Sequence, residues 1–484
     1  MDKCLVGIFR SNSLNYSSEW VFKDDYPEVH SLRFILNNIG HDEGNMFHRN
    51  IKNGNKVVIK PNWVIDTHSQ GRDVFSIVTH SAIIRSVVDL VYEAMKGEGS
   101  IVIADAPQWD CDFENLLRVT QVERISEYYW SKHRFEIQVR DLREVCCATR
   151  DGFIRSADRV KLAGDPEGYS VVALGRESAF GGMPGVERIY GADYDRTETI
   201  RHHCSERHEY RVSRTVLGAD VLISVPKLKV HKKVGVTMNA KGMVGINGNK
   251  NWVAHYRIGS PAQGGDEYPD AEPDTAKKKA RAIRLLIDRL LAPQSQVGET
   301  AFRWIHRSYQ KVKPLLGTAL DSRLSVDAGN WYGNDTAWRM TADLVRIALF
   351  ADREGRIHDK AQRRFLSVVD GIIGGEEEGP LSPSPKPCGV LIAGENPLAV
   401  DLVGARLMGF DWKKIKYLRW LVEQSPQSIG VRDPEKDIEI TSNVAEWRDL
   451  MQNPSALDLG FVPHPGWIGQ IELDRSQGKK GAGV

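Results

Sequence analysis

Long apolar runs are absent from the sequence, and neither sign of charge dominates it. No stretch approaches the roughly 18 apolar residues of a membrane-spanning helix, and the opening MDKCLVGIFRSNS has no signal-peptide apolar segment. The formal net charge of +1 over 484 residues argues against a protein that binds nucleic acid through its overall charge. We therefore expect a cytoplasmic protein with no membrane span and no nucleic-acid partner.

Cysteine is also scarce. The six cysteines are scattered and form no C-x-x-C pair, so they are too few for a disulfide framework and lack zinc-ribbon or ferredoxin spacing. We expect no iron-sulfur cluster, and at most one divalent metal ion as a cofactor.

Basic residues and glycines are concentrated in one stretch, Ala219 to Tyr268. It opens with an apolar run, Val221 to Val225, that is typical of a buried strand, and Pro226 is expected to end that strand. Six lysines and two histidines then follow among many glycines: Lys227, Lys229, Lys232, Lys233, Lys241, Lys250, His231 and His255. Glycine allows backbone to approach a ligand closely, so this loop suits an anion such as a phosphate, a carboxylate or a sugar phosphate.

Lys227, Lys229 and His231 stand at alternate positions of PKLKVH. An extended backbone would place all three on one side and create a strong positive potential, which lowers the pKa of each group. If this is an anion site, Lys227→Ala should leave folding intact. The alternative is that the three side chains are solvated on a sheet edge.

Polar residues also follow three other apolar runs. Lys60 and Asn62 follow one run, Asp105 follows a second after an intervening helical pattern, and Asp370 follows a third. A β-α-β unit implies parallel strands, and ligands bind at the carboxyl ends of such strands. Asp105 has two open uses, hydrogen bonding in its turn or binding a metal or hydroxyl.

The predicted fold is α/β, with parallel or mixed sheets, helices on both faces, and two lobes around a central cleft. We place the lobes at residues 1–215 and 216–484. The candidate catalytic residues are His231, Lys241, His255 and Asp370. The candidate substrate-binding residues are Lys60, Asn62, Asp105, Lys227, Lys229, Lys250, Arg257 and Asp266, and the candidate metal ligands are Glu378 and Asp370.

Three functional classes stay open. The first is an enzyme that acts on a polar anionic small molecule through histidine and lysine acid–base chemistry. The second is a metal- or cofactor-dependent racemase or oxidoreductase, with His231, His255, Asp370 and Glu378 as ligands. The third is a non-catalytic anion-binding or assembly protein. The substrate, the reaction type and the oligomeric state are not predicted.

Six ordered segments resemble one known family. They are VVIKPNWV, THSAIIRSVVDLVYEA, IVIADAPQ, PKLKVHKKVGVTMNAKGMVGI, VVDGIIGGEEEGP and AGENPLAVDLVGARLMGF, spread over Val57 to Phe410. They look like the domain of unknown function DUF362, in a long-form branch marked by Gly248 to Tyr268 and by GNDTAWRM. The resemblance implies a place among bacterial polysaccharide-synthesis proteins. Some relatives carry a ferredoxin-like domain, but this chain lacks the cysteines for one.

Two positions depart from the family pattern: Gly242 replaces the usual asparagine, and the AG-D-P turn here contains Glu395 and Asn396. A remoter similarity is to the lactate racemase that holds a nickel-pincer nucleotide, which is also an α/β protein with a histidine-lysine-glycine loop after a strand. We take that similarity as an indication of fold.

Overall fold

The computed structural model describes residues 3–21, 23–39, 45–147, 159–192, 196–270, 328–453 and 456–474, and the single residues 282 and 304. Its centre is a ten-stranded sheet in which most neighbours are parallel. The strands are β1 Cys4–Arg10, β2 Lys56–Pro61, β3 Ser100–Asp105, β4 Ile137–Asp141, β5 Val221–Val225, β6 Lys227–His231, β7 Gly235–Thr237, β8 Arg364–Glu376, β9 Ser384–Gly394 and β10 Ile438–Ser442.

The main path through the sheet is β10-β1-β9-β8-β5-β2-β3-β4. Strand β8 is long enough to pair first with β5 and then with β6, which in turn pairs with β7. Pro226 separates β5 from β6, as the sequence predicts, and its carbonyl accepts a hydrogen bond from Asp370 N at 2.8 Å. The segment after Pro226 is therefore extended, also as predicted.

Helices cover both faces of the sheet. The helices of the described segments are α1 Pro27–Asn38, α2 Met46–Asn50, α3 Ser81–Ala94, α4 Phe113–Thr120, α5 Glu123–His133, α6 Thr197–His202, α7 Arg214–Leu217, α8 Asn239–Gly242, α9 Ala337–Phe350, α10 Pro397–Leu407, α11 Lys416–Glu423 and α12 Pro434–Asp437. Helices α1 and α3 pack in one apolar cluster and α9, α10 and α11 in another.

Strand β5 shows why both faces must be covered. Val221 and Ile223 belong to the cluster that contains α3, whereas Leu222, which lies between them, belongs to the cluster that contains α10. Successive side chains of a strand point to opposite faces, so a continuous apolar run requires a core on each side.

Smaller sheets lie beside the main one. Three short strands pair at Tyr169–Ala173, Arg207–Ser213 and His203–Cys204, and two-stranded sheets join Ile189–Tyr190 to Tyr256–Arg257 and Val145–Cys147 to Arg159–Lys161.

The α/β fold, the mostly parallel sheet and the helices on both faces are confirmed. The two lobes around a cleft, divided at residue 215, stay a prediction, and the central sheet takes strands from both sides of that boundary. Within the described ranges, no helix combines the length and the apolarity that crossing a bilayer requires. All six cysteines are free thiols.

Candidate functional site

A cavity of about 280 Å³ is lined by residues at the ends of β2 and β3 and by residues of β6. We call it the basic cavity. Its charged and imidazole-bearing lining residues are Lys60, Asp105, Lys229, His231, Lys232, Lys233, Lys241, Lys250 and His255. The carboxyl ends of neighbouring parallel strands meet at one edge of a sheet, which is why Lys60 and Asp105 come together. Lys229 and His231 of β6 line the same cavity.

Lys60 and Asp105 form a buried ion pair on the cavity wall. The distance from Lys60 Nζ to Asp105 Oδ1 is 2.9 Å, and the two side chains are 2% and 4% exposed. The backbone N–H groups of Trp63 and Ala106 donate to the same carboxylate at 2.7 and 2.9 Å. Burial raises the pKa of Asp105, and the Lys60 charge opposes that shift. Of the two uses predicted for Asp105, hydrogen bonding in its turn is therefore observed.

Gly245 closes the wall behind this pair. A Cβ atom at Gly245 would lie 1.8 Å from Asp105 Oδ1 and 2.6 Å from Lys60 Nζ. The Gly245 carbonyl also accepts a hydrogen bond from Ala106 N at 2.8 Å. Only a residue without a side chain allows the backbone at Gly245 to pack directly against the ion pair.

Strand β6 contributes Lys229 and His231 to the cavity. Lys229 Nζ donates to the carbonyl of Ile77 at 2.6 Å, and His231 Nδ1 accepts from Lys233 N at 3.0 Å. Burial holds the pKa of each side chain well below its usual value, and the charge of Lys241 lowers both further. His231 is therefore a neutral imidazole near pH 7.

Lys241 and Lys250 come from the glycine-rich segment after β7. Lys250 Nζ donates to the carbonyls of Val244 and Asn247 at 3.0 and 3.2 Å. Burial lowers the pKa of Lys250 to about 7. Burial, together with the Lys60 charge, lowers the pKa of Lys241 to about 8. Both amines can thus change protonation near physiological pH.

Asp401 holds the backbone turn that presents Lys241. Its carboxylate accepts from the backbone N–H of Asn239 at 2.8 Å, from the Asn239 side-chain amide at 2.9 Å and from Ala240 N at 2.9 Å. These donors stand at the start of α8, which contains Lys241. Asp401 is fully buried on α10, 162 residues beyond Asn239 in the chain. Nothing local in the sequence indicates this contact.

Aromatic and hydroxyl groups complete the wall and were missed in the sequence. Trp63, Trp109 and Thr237 line the cavity, and among the described atoms Trp63 Nε1, Trp109 Nε1 and Thr237 Oγ1 have no hydrogen-bond partner. Among the described atoms, His255 Nδ1 also has no hydrogen-bond partner. Burial lowers the pKa of His255 well below 6.5, and Lys241 adds to that effect. The signal that could have identified Trp63 is its position directly after Asn62, which also lines the cavity.

Lys227 and Asp370 lie outside this lining. They pair with each other at 3.0 Å, and neither side chain is exposed. Lys227 therefore does not join Lys229 and His231 in the cavity, although all three belong to β6. The cation that the sequence assigns to an external anion is neutralised by a carboxylate of the neighbouring strand.

Three other candidate residues are also not part of the cavity lining. Arg257 and Asp266 contact each other at 3.5 Å, and Asp266 Oδ2 accepts from Thr336 Oγ1 at 2.6 Å. This network fixes the turn before α9. Glu378 Oε2 accepts from Gln70 Nε2 at 2.9 Å.

A metal ion finds no prearranged site in the part of the chain that the structure describes, where no three His, Cys, Asp or Glu side chains form a ligand group. The oxygens of Asp370 are taken by Lys227, Tyr16 and the backbone N–H of His80. Metal binding by Asp370 and Glu378 stays a prediction.

The family model described as Domain of unknown function (DUF362) matches residues 162–406, about half of the chain. The matched range contains Lys229, His231, Lys241 and Lys250, whereas Lys60 precedes it. A search of curated proteins finds no match. The chain therefore belongs to the DUF362 family, as the resemblance predicts. Three of the six segments that carry the resemblance precede the matched range: VVIKPNWV, THSAIIRSVVDLVYEA and IVIADAPQ.

Proposed function

We propose that the chain is an enzyme that binds a small polar anion in the basic cavity and transfers protons on it. One observation carries this proposal: six lysines and two histidines line the cavity, and among the described lining residues Asp105 is the single carboxylate. That carboxylate is already paired with Lys60. Lys229, Lys241 and Lys250 form no ion pair with a carboxylate of the wall, so an anionic ligand is the natural complement.

The pKa shifts support the same proposal. Burial lowers the pKa values of Lys229, Lys241 and Lys250, and neighbouring lysines add to the effect at each. Burying several like charges together disfavours the charged forms. An anion in the cavity would reverse that shift, so binding energy and protonation of the wall are coupled.

Proton transfer is the chemistry that these groups support. A general acid or base works best when its pKa lies near the operating pH, and Lys241 and Lys250 have pKa values of about 8 and about 7. The neutral imidazoles of His231 and His255 stand in the same wall and can accept a proton.

The cavity volume and its aromatic residues limit the size and type of ligand. A cavity of about 280 Å³ accommodates a small metabolite, and Trp63, Trp109 and Tyr256 provide flat apolar surfaces suited to a sugar ring. A sugar-linked anion in bacterial polysaccharide synthesis is therefore our proposed substrate class. The six free thiols support a cytoplasmic location.

The test measures thermal stability with inorganic sulfate, phosphate, pyrophosphate and nucleotide sugars, against chloride at equal ionic strength. A ligand that binds the native state raises the melting temperature, because saturation at 100 times Kd adds about 2.7 kcal/mol. Lys241→Met should reduce the effect. Lys360→Met is the matched control, since Lys360 is exposed and far along the chain from the cavity segments.

Two results would contradict the proposal. If no anion stabilises the wild-type protein more than chloride does, the cavity is not an anion site. If an anion binds but no turnover of any bound ligand is detected, the non-catalytic anion-binding function replaces the enzymatic one.

A further inference from the structure

We infer that Lys241 is a nucleophile and that the anionic substrate carries an aldehyde or ketone carbonyl, with which the Lys241 amine condenses to an imine. This inference rests on the proposed function, because the same cavity must hold the anionic part of the substrate. It goes further in naming the functional group that reacts and the atom that attacks it.

The first argument is the difference between Lys241 and the other lysines of the wall. Lys60, Lys229 and Lys250 each donate to carbonyl or carboxylate oxygens of the protein. Lys241 Nζ has no hydrogen-bond or ion-pair partner among the residues that the structure describes, although it lines the cavity. The partnered lysines are held in place as anion-binding groups, whereas the amine of Lys241 faces the cavity without competition from a protein acceptor.

The second argument is that the base of the Lys241 side chain is fixed. Asp401 accepts two backbone N–H groups and one amide from the turn that contains Lys241. A nucleophile on an anchored backbone loses less freedom when it reaches its reactive position. A solvated surface lysine would have no need of such support.

The third argument is electrostatic. A lysine attacks a carbonyl only as the neutral amine, and a neighbouring cation in an apolar site favours that form. Burial lowers the pKa of Lys241, and the charge of its neighbour Lys60 adds to that effect, so that the pKa falls to about 8. A useful fraction of the amine is therefore neutral at physiological pH.

The proposed step balances without an oxidant or a reductant. The Lys241 nitrogen attacks the carbonyl carbon, a C–N bond forms, and the carbonyl oxygen takes a proton to give a carbinolamine. The nitrogen gives up one proton to the wall, and the hydroxyl takes up a proton and leaves as water. The nitrogen lone pair then forms the C=N bond of a protonated imine, which keeps the second amine proton. His231 and His255, both neutral and both in the cavity wall, are placed to carry these protons. The protonated imine then acidifies the adjacent carbon, which links this step to proton transfer.

Borohydride trapping tests the inference on the full-length protein. The protein is incubated with pyruvate or with dihydroxyacetone phosphate, reduced with sodium cyanoborohydride, and analysed by intact mass and peptide mapping. We expect one reduced adduct per chain, located on Lys241, whose rate of formation rises as the pH passes through about 8. Glycerol 3-phosphate, which has no carbonyl, should give no adduct.

Variants separate a specific nucleophile from general lysine reactivity. Lys241→Arg and Lys241→Met should lose the adduct, whereas Lys360→Met should keep it. Label that persists in Lys241→Met, or that spreads over exposed lysines, overturns the inference. So does the absence of an adduct with both carbonyl probes.

The sulfate result distinguishes the two proposals. If sulfate stabilises the wild-type protein and no adduct forms, the anion cavity stands and the imine is wrong. If sulfate also fails to stabilise the protein, the anion-binding cavity of the proposed function is wrong, and the imine inference fails with it.

Discussion

Lys227 and Asp370 face each other across neighbouring strands at a distance of 3.0 Å, and neither side chain has any exposed surface. Tyr16 joins them: its hydroxyl donates to Asp370 Oδ1 at 2.7 Å and accepts from Lys227 Nζ at 2.6 Å. The backbone N–H of His80 donates to Asp370 Oδ2 at 2.9 Å. This cluster connects β6 to β8 and to the start of α3, so it belongs to the core of the fold.

The first prediction concerns this pair. Lys227→Met should destabilise the protein by about 3–5 kcal/mol, because it leaves the Asp370 carboxylate buried without its cation. The sequence-based expectation that Lys227→Ala leaves folding intact is therefore replaced by the opposite one. The measurement is the free energy of unfolding from urea denaturation.

The double variant Lys227→Met with Asp370→Asn provides the control. It removes both charges, so we expect it to recover part of the lost stability. If Lys227→Met alone is as stable as wild type but binds sulfate more weakly, the anion-binding role of Lys227 is right and the structural role is wrong.

The sequence alone predicts the placement of a residue when that placement depends on the strand that directly precedes or contains it. Lys60 and Asp105 each follow a buried run, and the parallel arrangement of those runs suffices to bring them together. It also predicts the extended form of β6, and thus that Lys229 and His231 share a side.

The sequence alone does not predict the role of a residue when that role depends on a partner far away in the chain. Lys227 is neutralised by a residue 143 positions later, and no local pattern indicates that pairing. Asp401 lies on α10, but its oxygens accept hydrogen bonds from the distant turn that carries Lys241. Both roles arise from contacts between elements, which residue spacing alone does not encode.

The second prediction compares two glycines of the cavity wall. Gly245→Ala should destabilise the protein and weaken sulfate binding, because the new Cβ would lie 1.8 Å from Asp105 Oδ1 and must displace the Lys60–Asp105 pair. Overpacking of this kind costs about 1–3 kcal/mol. Gly242→Ala is the matched control, since a Cβ there meets no atom within 4 Å. Equal behaviour of the two variants in thermal unfolding and sulfate titration would show that the close contact is unimportant.

The third prediction is a pH dependence of anion binding. Sulfate keeps its charge between pH 6 and pH 9. A change in its affinity over this range therefore indicates a change in the protonation of the protein. The pKa values of Lys241 and Lys250 are about 8 and about 7, and both amines are charged below those values. Sulfate affinity, measured by calorimetry, should therefore fall as the pH rises through this range. A flat profile would mean that neither amine contacts the anion.

The same pKa shifts predict the opposite slope for stability without sulfate. The pKa of Lys241 is lower in the native chain than its ordinary value of 10.5, so between these values the unfolded chain binds more protons. Stability attributable to Lys241 should then rise as the pH increases from about 8 towards 10.5. We expect the difference in unfolding free energy between wild type and Lys241→Met to show this rise, and the Lys360→Met variant to show none.

The last prediction tests Asp401 as the residue that positions Lys241. Asp401→Asn keeps the size of the side chain but turns an amide towards one of three N–H donors, so one hydrogen bond is lost and a donor is left unsatisfied. We expect a loss of about 1–3 kcal/mol in unfolding free energy and a slower reaction of Lys241 with pyruvate under borohydride. Asp411→Asn is the control, because Asp411 caps a short 3-10 helix through Lys413 N and asparagine caps equally well.

A pH profile separates positioning from simple structural support. Burial raises the pKa of Asp401 from 3.8 to about 7, although three N–H donors favour the charged form. The native chain therefore binds this proton more tightly than the unfolded chain, and stability due to Asp401 should fall as the pH rises from about 4 to about 7. Asp401→Asn cannot titrate and should remove that dependence. If the variant also shifts the pH midpoint of Lys241 trapping, Asp401 acts through the Lys241 turn; an unchanged midpoint with lowered stability would assign Asp401 to the core alone.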